Sequence, residues 1–200
     1  MSTEAEKVVP KSAAHWRDPR VWLALGTTLT VTVTLLRVQG RLWWCACGGW
    51  SPIWIDTWSS HNSQHLLDPY AFSHVAHGLI FCGALAVTVP RLAMRWRFAL
   101  AVAIEALWEV VENTEFVINR YREVTASLDY HGDTVGNVMG DIATCALGFL
   151  LAQRLGLWRS VAVFVIMEVG LLLWIRDNLT LNVLMLLWPV EAVKQWQIGA

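Results

Sequence analysis

The sequence predicts an all-α fold, a polytopic transmembrane helix bundle, and three observations lead there. Hydrophobic residues make up 56% of the 200 and charged residues 16%, with mean hydropathy +0.44, whereas a soluble domain carries about 25% charged residues. Apolar stretches near the roughly 17–25 residues needed to cross a bilayer recur along the chain. An open strand cannot cross hydrocarbon with its backbone unpaired, so these stretches are read as helices. Finally, the chain holds 13 Trp, a residue that favours membrane–water interfaces. The net charge of −1 gives no broad attraction for nucleic acid, and no such partner is expected.

Taken in order, residues 1–20 are polar, lack the apolar run of a signal peptide, and are expected to be a cytoplasmic tail. Residues 21–200 are read as a single transmembrane domain. Its first helix covers 21–37; the alternating Thr and Val would suit a strand, but an open strand cannot cross hydrocarbon, so the segment is read as a helix whose hydroxyls bond back to earlier carbonyls. The second covers 71–89, with Asp68 as N-cap and Pro69 in the first turn. Further helices are expected at 98–118, 134–155 and 161–175, giving about five spans. Residues 179–190, ended by Pro189, are too short to span and are read as re-entrant or interfacial.

Basic residues orient the chain. With the N-terminus inside, Lys7, Lys11, Arg17, Arg20, Arg91, Arg95, Arg97, Arg154 and Arg159 are cytoplasmic, while Arg37, Arg41, Arg120, Arg122, Arg176 and Lys194 lie outside. Residues 38–69 then face the periplasm. They hold Trp43, Trp44, Trp50, Trp54 and Trp58 and are expected to form an aromatic flap on membrane lipid, or a docking surface for a membrane-protein partner. Cys82 and Cys145 read as buried hydrophobes, Cys45 and Cys47 form C-A-C, and the four cysteines show no zinc pattern.

Polar residues inside the spans gather at one depth. His74 and His77 stand at i, i+3; Glu105, Glu109 and Glu112 at i, i+4, i+7; Asp133, Asn137 and Asp141 at i, i+4, i+8. Each set makes one helical stripe in the outer half of its helix. Gly78, Gly140, Thr144 and Gly148 beside them permit close helix approach. Asp129 and His131 are read as loop residues, and Glu168 falls near the middle of the fifth span. A charge within a membrane costs about 2.5–3.5 kcal/mol, which makes function the default reading.

The stripes converge on a hydrated pocket open to the periplasm, with His74, His77, Glu105, Glu109 and Asp141 as its catalytic candidates. Burial shifts carboxylate and imidazole affinities toward each other, so such a set suits metal-free acid–base chemistry. Alternatively, His74, His77, Glu109 and Asp141 offer a mixed donor set for a divalent metal such as Zn, Fe or Mn. Arg120, Arg122 and Arg176, with Asp133 and Asn137, are the candidates for binding an anionic headgroup and the rest of a substrate. Against these stands the reading in which the polar groups only satisfy one another and fix helix register.

The segments "SQHLLDPYAFSHVAHG", "EALWEVVENTEFVINRYREVTASLDYHGDTVGNVMGD" and "IRDNLTLNVLMLLWPVEAVKQWQ" together resemble uncharacterised protein family 0314, bacterial multi-pass membrane proteins carrying a domain of unknown function. The resemblance covers about residues 42–197 and implies a bacterial inner-membrane location without implying an activity. More loosely, a His followed by E-x-x-W-E and D-x-x-x-N-x-x-x-D on successive helices is similar to VanZ-like membrane proteins, a likeness of fold level only. Three functions are open at this point. One is an intramembrane enzyme acting on a lipid or lipid-linked substrate. The others are an accessory or assembly subunit of a larger complex and a small proton-coupled transporter; no inverted repeat supports the last.

Overall fold

The computed structural model describes residues 18–125 and 130–199. The tail expected over 1–20 lies outside them except for its last three residues, and so does Asp129. The described residues form eight helices and an isolated parallel bridge between Ile53 and Leu67. In chain order the helices are α1 (Pro19–Val38), α2 (Ala71–Thr88), α3 (Met94–Glu112), α4 (Glu115–Val124), α5 (Val135–Leu155), α6 (Leu157–Ile175), α7 (Leu179–Leu187) and α8 (Glu191–Ile198).

Four of them, α1, α2, α5 and α6, are long and apolar enough to cross a membrane. α3 is not among the four because it carries Arg95, Arg97, Glu105, Glu109 and Glu112, yet it packs in the bundle through Phe98, Ala99, Ala101, Val102 and Ala106. It runs alongside α1 in the same direction. Asp18 pairs with Arg95 at 3.4 Å at one end, and Gln39 Nε2 donates to the Val110 carbonyl at 3.0 Å at the other. Within α1, Thr30, Thr32 and Thr34 donate their hydroxyls to the carbonyls of Gly26, Thr28 and Thr30. These bonds remove the exposed polarity that made the segment resemble a strand.

Three expectations are corrected. The helix expected over 98–118 is two helices, broken at Asn113; Thr114 caps α4 by accepting from Val117 N–H. Asp68 does not cap α2 as its N-cap residue. Its two oxygens accept from Tyr70 N–H and Ser63 N–H, holding a turn before the helix begins at Ala71. The segment expected over 179–190 is the nine-residue α7, and after Pro189 comes a further helix, α8, absent from the sequence reading. Arg176, at φ 55°, reverses the chain after α6. Glu168 then accepts from the N–H groups of Leu179 and Thr180, both at 3.0 Å. A carboxylate in the midst of an apolar helix thus serves the open amides and positive end of α7.

The centre of the bundle is the crossing of α2 and α5. A Cβ on Gly78 would collide with the Cys145 carbonyl and Phe149 N, and a Cβ on Gly148 with the Val75 carbonyl. The two backbones touch because neither helix has a side chain at the crossing. Below it, Leu79, Cys82, Leu85, Phe98 and Phe149 fill the other half of the bundle, the two rings edge to face at 5.6 Å.

Alanine at Gly78 or Gly148 must push these helices apart, and we expect a loss of about 1–3 kcal/mol or more. Gly26, on α1, has nothing within 4 Å of its Cβ position, so Gly26→Ala should leave stability unchanged or raise it. Thermal unfolding of the purified protein in detergent checks both; equal effects at the three positions would refute the close crossing.

Candidate functional site

The three stripes meet directly above that crossing. On α3, Glu105 is fully buried between two imidazoles: Oε1 lies 2.6 Å from His74 Nδ1, and Oε2 lies 3.0 Å from His77 Nδ1. Both rings therefore direct Nδ1 at Glu105, which fixes their orientation. His74 turns its other nitrogen toward Asp141 Oδ1 on α5, 3.8 Å away. Glu109, one turn beyond Glu105, comes within 3.4 Å of His74 Nδ1, whose closer partner is Glu105. Both Glu109 oxygens and Asp141 Oδ1 are buried without a hydrogen-bond partner. Such groups are rare in folded proteins and each calls for an explanation. One ligand atom each from His74, Glu109 and Asp141 lies within 4.8 Å of the others, as does one each from His74, His77 and Glu105.

A second polar layer sits over the first. Asn113, buried at the end of α3, donates to Asp133 Oδ2 at 2.7 Å and accepts from Asp133 N–H at 2.7 Å, while Tyr130 O–H donates to Asp133 Oδ1 at 3.0 Å. Burial raises the Asp133 and Asp68 carboxyls above their ordinary range, and the hydrogen bonds each accepts offset part of the rise. Between the layers is a cavity of about 80 Å³, with His74, His77, Glu112, Asp133, Asn137 and Asp141 in its wall. That is room for several waters.

The amides at the start of α5 close the top. Thr134 Oγ1 accepts from Asn137 N–H. Thr134, Val135 and Gly136 donate their N–H groups to the carbonyls of Ser63, Leu42 and Trp43. The segment expected to lie as an aromatic flap on the membrane is thus tied to the helix that carries Asp141. Of its indoles, Trp43, Trp50 and Trp58 are exposed, whereas Trp44 and Trp54 are partly covered.

Not every candidate reaches the cavity. Arg120 donates to the Leu186 carbonyl, Arg122 to the Tyr130 carbonyl, and Arg176 to the Trp196 carbonyl. None of the three belongs to the cavity wall, where the sequence expectation put them. Asp133 and Asn137 line it, but Asp133 is already engaged, and the Asn137 carboxamide donates to the His65 carbonyl at 2.9 Å. His131, expected in a loop, is exposed and lies 2.6 Å from Arg122. The sequence reading missed Asn113, Tyr70, Tyr121 and Tyr130. Asn113 was accessible to it, since it continues the Glu105–Glu109 spacing by four more residues.

A family model described as "Protein of unknown function (DUF2585)" matches residues 36–199. The chain belongs to that family. Among its curated relatives, a UPF0314 protein of Paracoccus denitrificans is 47% identical over 191 residues, covering 95% of this chain and 98% of the relative. A UPF0314 protein of Brucella anthropi is 44% identical over 199 residues, covering 100% of both. A third, from Rhizobium meliloti, is 45% identical and covers 92% of this chain and 93% of its own length. No solved structure matches. Bacterial relatives matched nearly end to end, together with the four apolar helices, make this a membrane protein of a family found in bacteria.

At the rim, Asp177 accepts from Tyr70 O–H at 3.0 Å, and burial pushes its carboxyl from 3.8 up to about 6 against the pull of its hydrogen bonds. The folded protein therefore holds this proton more tightly than the unfolded chain. Stability from this group falls as pH rises from about 4 to 6 and is level above. Asp177→Asn should remove that slope. The unfolding temperature of the variant relative to the parent should rise by several degrees between pH 4.5 and 7.5; parallel curves would contradict the assignment.

Proposed function

We propose that this protein is an intramembrane enzyme that performs acid–base chemistry on a lipid or lipid-linked substrate, with Glu109, His74 and Asp141 as its reacting groups. The observation that carries this is Glu109, buried with neither carboxylate oxygen hydrogen-bonded and 3.4 Å from His74, which together with Asp141 lines the polar cavity. Groups retained only to fix helix register would be expected to satisfy one another. Here three carboxylates, Glu105, Glu109 and Asp141, face two imidazoles, so the balance is completed by a proton or a cation. In the proposed roles, Glu105 positions both rings, His74 and Asp141, which line the cavity, exchange a proton with the substrate, and Glu109 exchanges one with His74 from behind. The substrate class follows from depth: the cavity lies among helices apolar enough to sit in lipid.

A second reading uses the same residues. The unpaired oxygens of Glu109 and Asp141 lie close enough to His74 to share a divalent cation, and two carboxylates with an imidazole suit Zn, Mn or Fe. The apolar fill below the α2–α5 crossing weighs against a transport path. Arg91, Arg95, Arg97, Arg154 and Arg159 all belong to the opposite end from the cavity, which supports a cavity facing the periplasm of the inner membrane. The exposed Trp43, Trp50 and Trp58 are proposed to rest on membrane lipid; a partner protein there would accord with the accessory-subunit reading.

Orientation is tested by cysteines placed at the exposed Trp50 and Arg91 and treated with an impermeant thiol reagent in spheroplasts. We expect labelling above the parent level at 50 and none at 91; the reverse would invert the topology.

For the chemistry, Glu109→Gln, His74→Asn and Asp141→Asn keep polarity but remove the titrating group. Each should accumulate in membranes and unfold within about 4 °C of the parent, while failing to complement a deletion strain. Full complementation by all three would end the catalytic proposal. Parallel loss of abundance and complementation would favour a structural cluster. A stoichiometric divalent ion that disappears with Glu109→Gln or Asp141→Asn would select the metal reading.

A further inference from the structure

A different set of donors lies above the cavity, in the segment between α1 and α2. Cys45 and Cys47, both free thiols, have their Sγ atoms 2.7 Å apart. Cys45 Sγ is 3.3 Å from His61 Nδ1, and His61 Nδ1 is 3.5 Å from His65 Nε2. The four ligand atoms all lie within 4.8 Å of one another. In sequence they read C-x-C, thirteen residues, then H-x-x-x-H. The His half has ordinary zinc spacing. The Cys half does not, which is why the sequence reading found no zinc pattern.

The surroundings prepare these atoms as ligands. His65 is buried, and its Nδ1 lies 2.7 Å from the Ser51 carbonyl. Donation there leaves Nε2 with its lone pair facing the cluster, the outer-shell bond that metal-bound histidines make. Backbone N–H groups point at both sulfurs: Cys47 N donates to Cys45 Sγ at 3.4 Å and Gly49 N to Cys47 Sγ at 3.3 Å. Such donors stabilise thiolates. Trp54 stacks on both imidazoles, with centroids 4.4 Å from His61 and 5.2 Å from His65, and so holds their planes.

We propose that Cys45, Cys47, His61 and His65 bind one zinc ion as a structural site that locks the segment over the cavity. With Zn–S near 2.3 Å and Zn–N near 2.0–2.1 Å, a tetrahedron has edges of roughly 3.3–3.8 Å. The Cys45–His61 and His61–His65 separations already match; the sulfurs move apart by about 1 Å. Two thiolates and two imidazoles favour zinc over the oxygen-seeking Mg or Ca. Four protein donors close the shell, as structural sites do. The consequence is mechanical. The Cys half follows Leu42 and Trp43, the His half spans Ser63 and Gln64, and the carbonyls of these four residues cap α5. One ion would join both segments of that cap.

The test uses full-length protein purified in detergent without metal-affinity chromatography, with metal measured by mass spectrometry and disulfides by non-reducing peptide mapping. We expect about one zinc per chain, falling at least tenfold in Cys47→Ser and in His61→Asn and retained in Glu109→Gln. Co²⁺ exchanged into the parent protein should give thiolate-to-cobalt charge transfer, a readout that does not depend on a variant folding. Chelation should lower the unfolding temperature of the parent and leave Cys47→Ser unmoved. Parent protein with no more zinc than Cys47→Ser and no thiolate–cobalt band would overturn the proposal. So would a Cys45–Cys47 disulfide in the purified protein, or copper in place of zinc. Zinc that survives Cys47→Ser but leaves with Glu109→Gln would assign the ion to the intramembrane cluster instead. The failure of either proposal is therefore visible separately.

Discussion

The contact between the α2 and α5 backbones at Gly78 and Gly148 is the constraint on which the rest of the structure depends. In lipid there is no hydrophobic force to drive apolar helices together, so close approach has to come from small residues and from polar groups that bond across. Here both are used, one above the other. The glycines set the separation at the crossing, and one turn higher that separation leaves His74 within 3.8 Å of Asp141. A larger residue at the crossing would move these two groups apart. α3 fills the remaining side with Ala99, Ala101 and Ala106, and the same small residues bring Glu105 and Glu109 up to His74.

Close packing explains the pairing of Glu105 but not the isolation of Glu109. Glu105 is satisfied on both oxygens by imidazoles, a stable arrangement for a buried charge. Glu109 lies one turn away in the same packed environment with nothing to bond. The cost of leaving a buried polar group unmatched is about 1–3 kcal/mol, more for a charge. Packing that could place one carboxylate between two donors could have placed a hydroxyl or amide beside the other. Its absence, behind a histidine that lines the cavity, is what the acid–base proposal rests on.

The helical stripes were legible in the sequence because period and burial agree: His74–His77, Glu105–Glu109 and Asn137–Asp141 are spaced for one face, and polar groups in apolar helices have nowhere else to turn. The direction of the long side chains was not. Arg120, Arg122 and Arg176 share the depth of the cavity, but depth says nothing about azimuth, and each guanidinium found a carbonyl elsewhere. The break at Asn113 was hidden because the apolar pattern continues through Val117 and Ile118, which face α4's own packing surface. Long-range pairing was hidden too. Leu42 and Ser63 both bond the start of α5, and nothing local to either position announces it. The same distance in sequence separated C-A-C from H-N-S-Q-H, so two incomplete patterns were read as none.

Helix ends are where a membrane bundle must solve the problem of open amides, and α5 solves it with carbonyls from two separate segments. That choice ties the segment above to the polar cluster below. The Asn137 side chain bonds the His65 carbonyl and lines the cavity, so His65 cannot be displaced without freeing a buried carboxamide and uncapping the helix that bears Asp141. Soft sulfur and imidazole donors sit on the upper side of this link, and carboxylate-rich, hard donors on the lower. A segment that only covered the cavity would need none of these connections. One that holds the cavity's shape needs all of them, since loosening the cap would free the amides at the start of α5 and shift Asn137 and Asp141, which line the cavity.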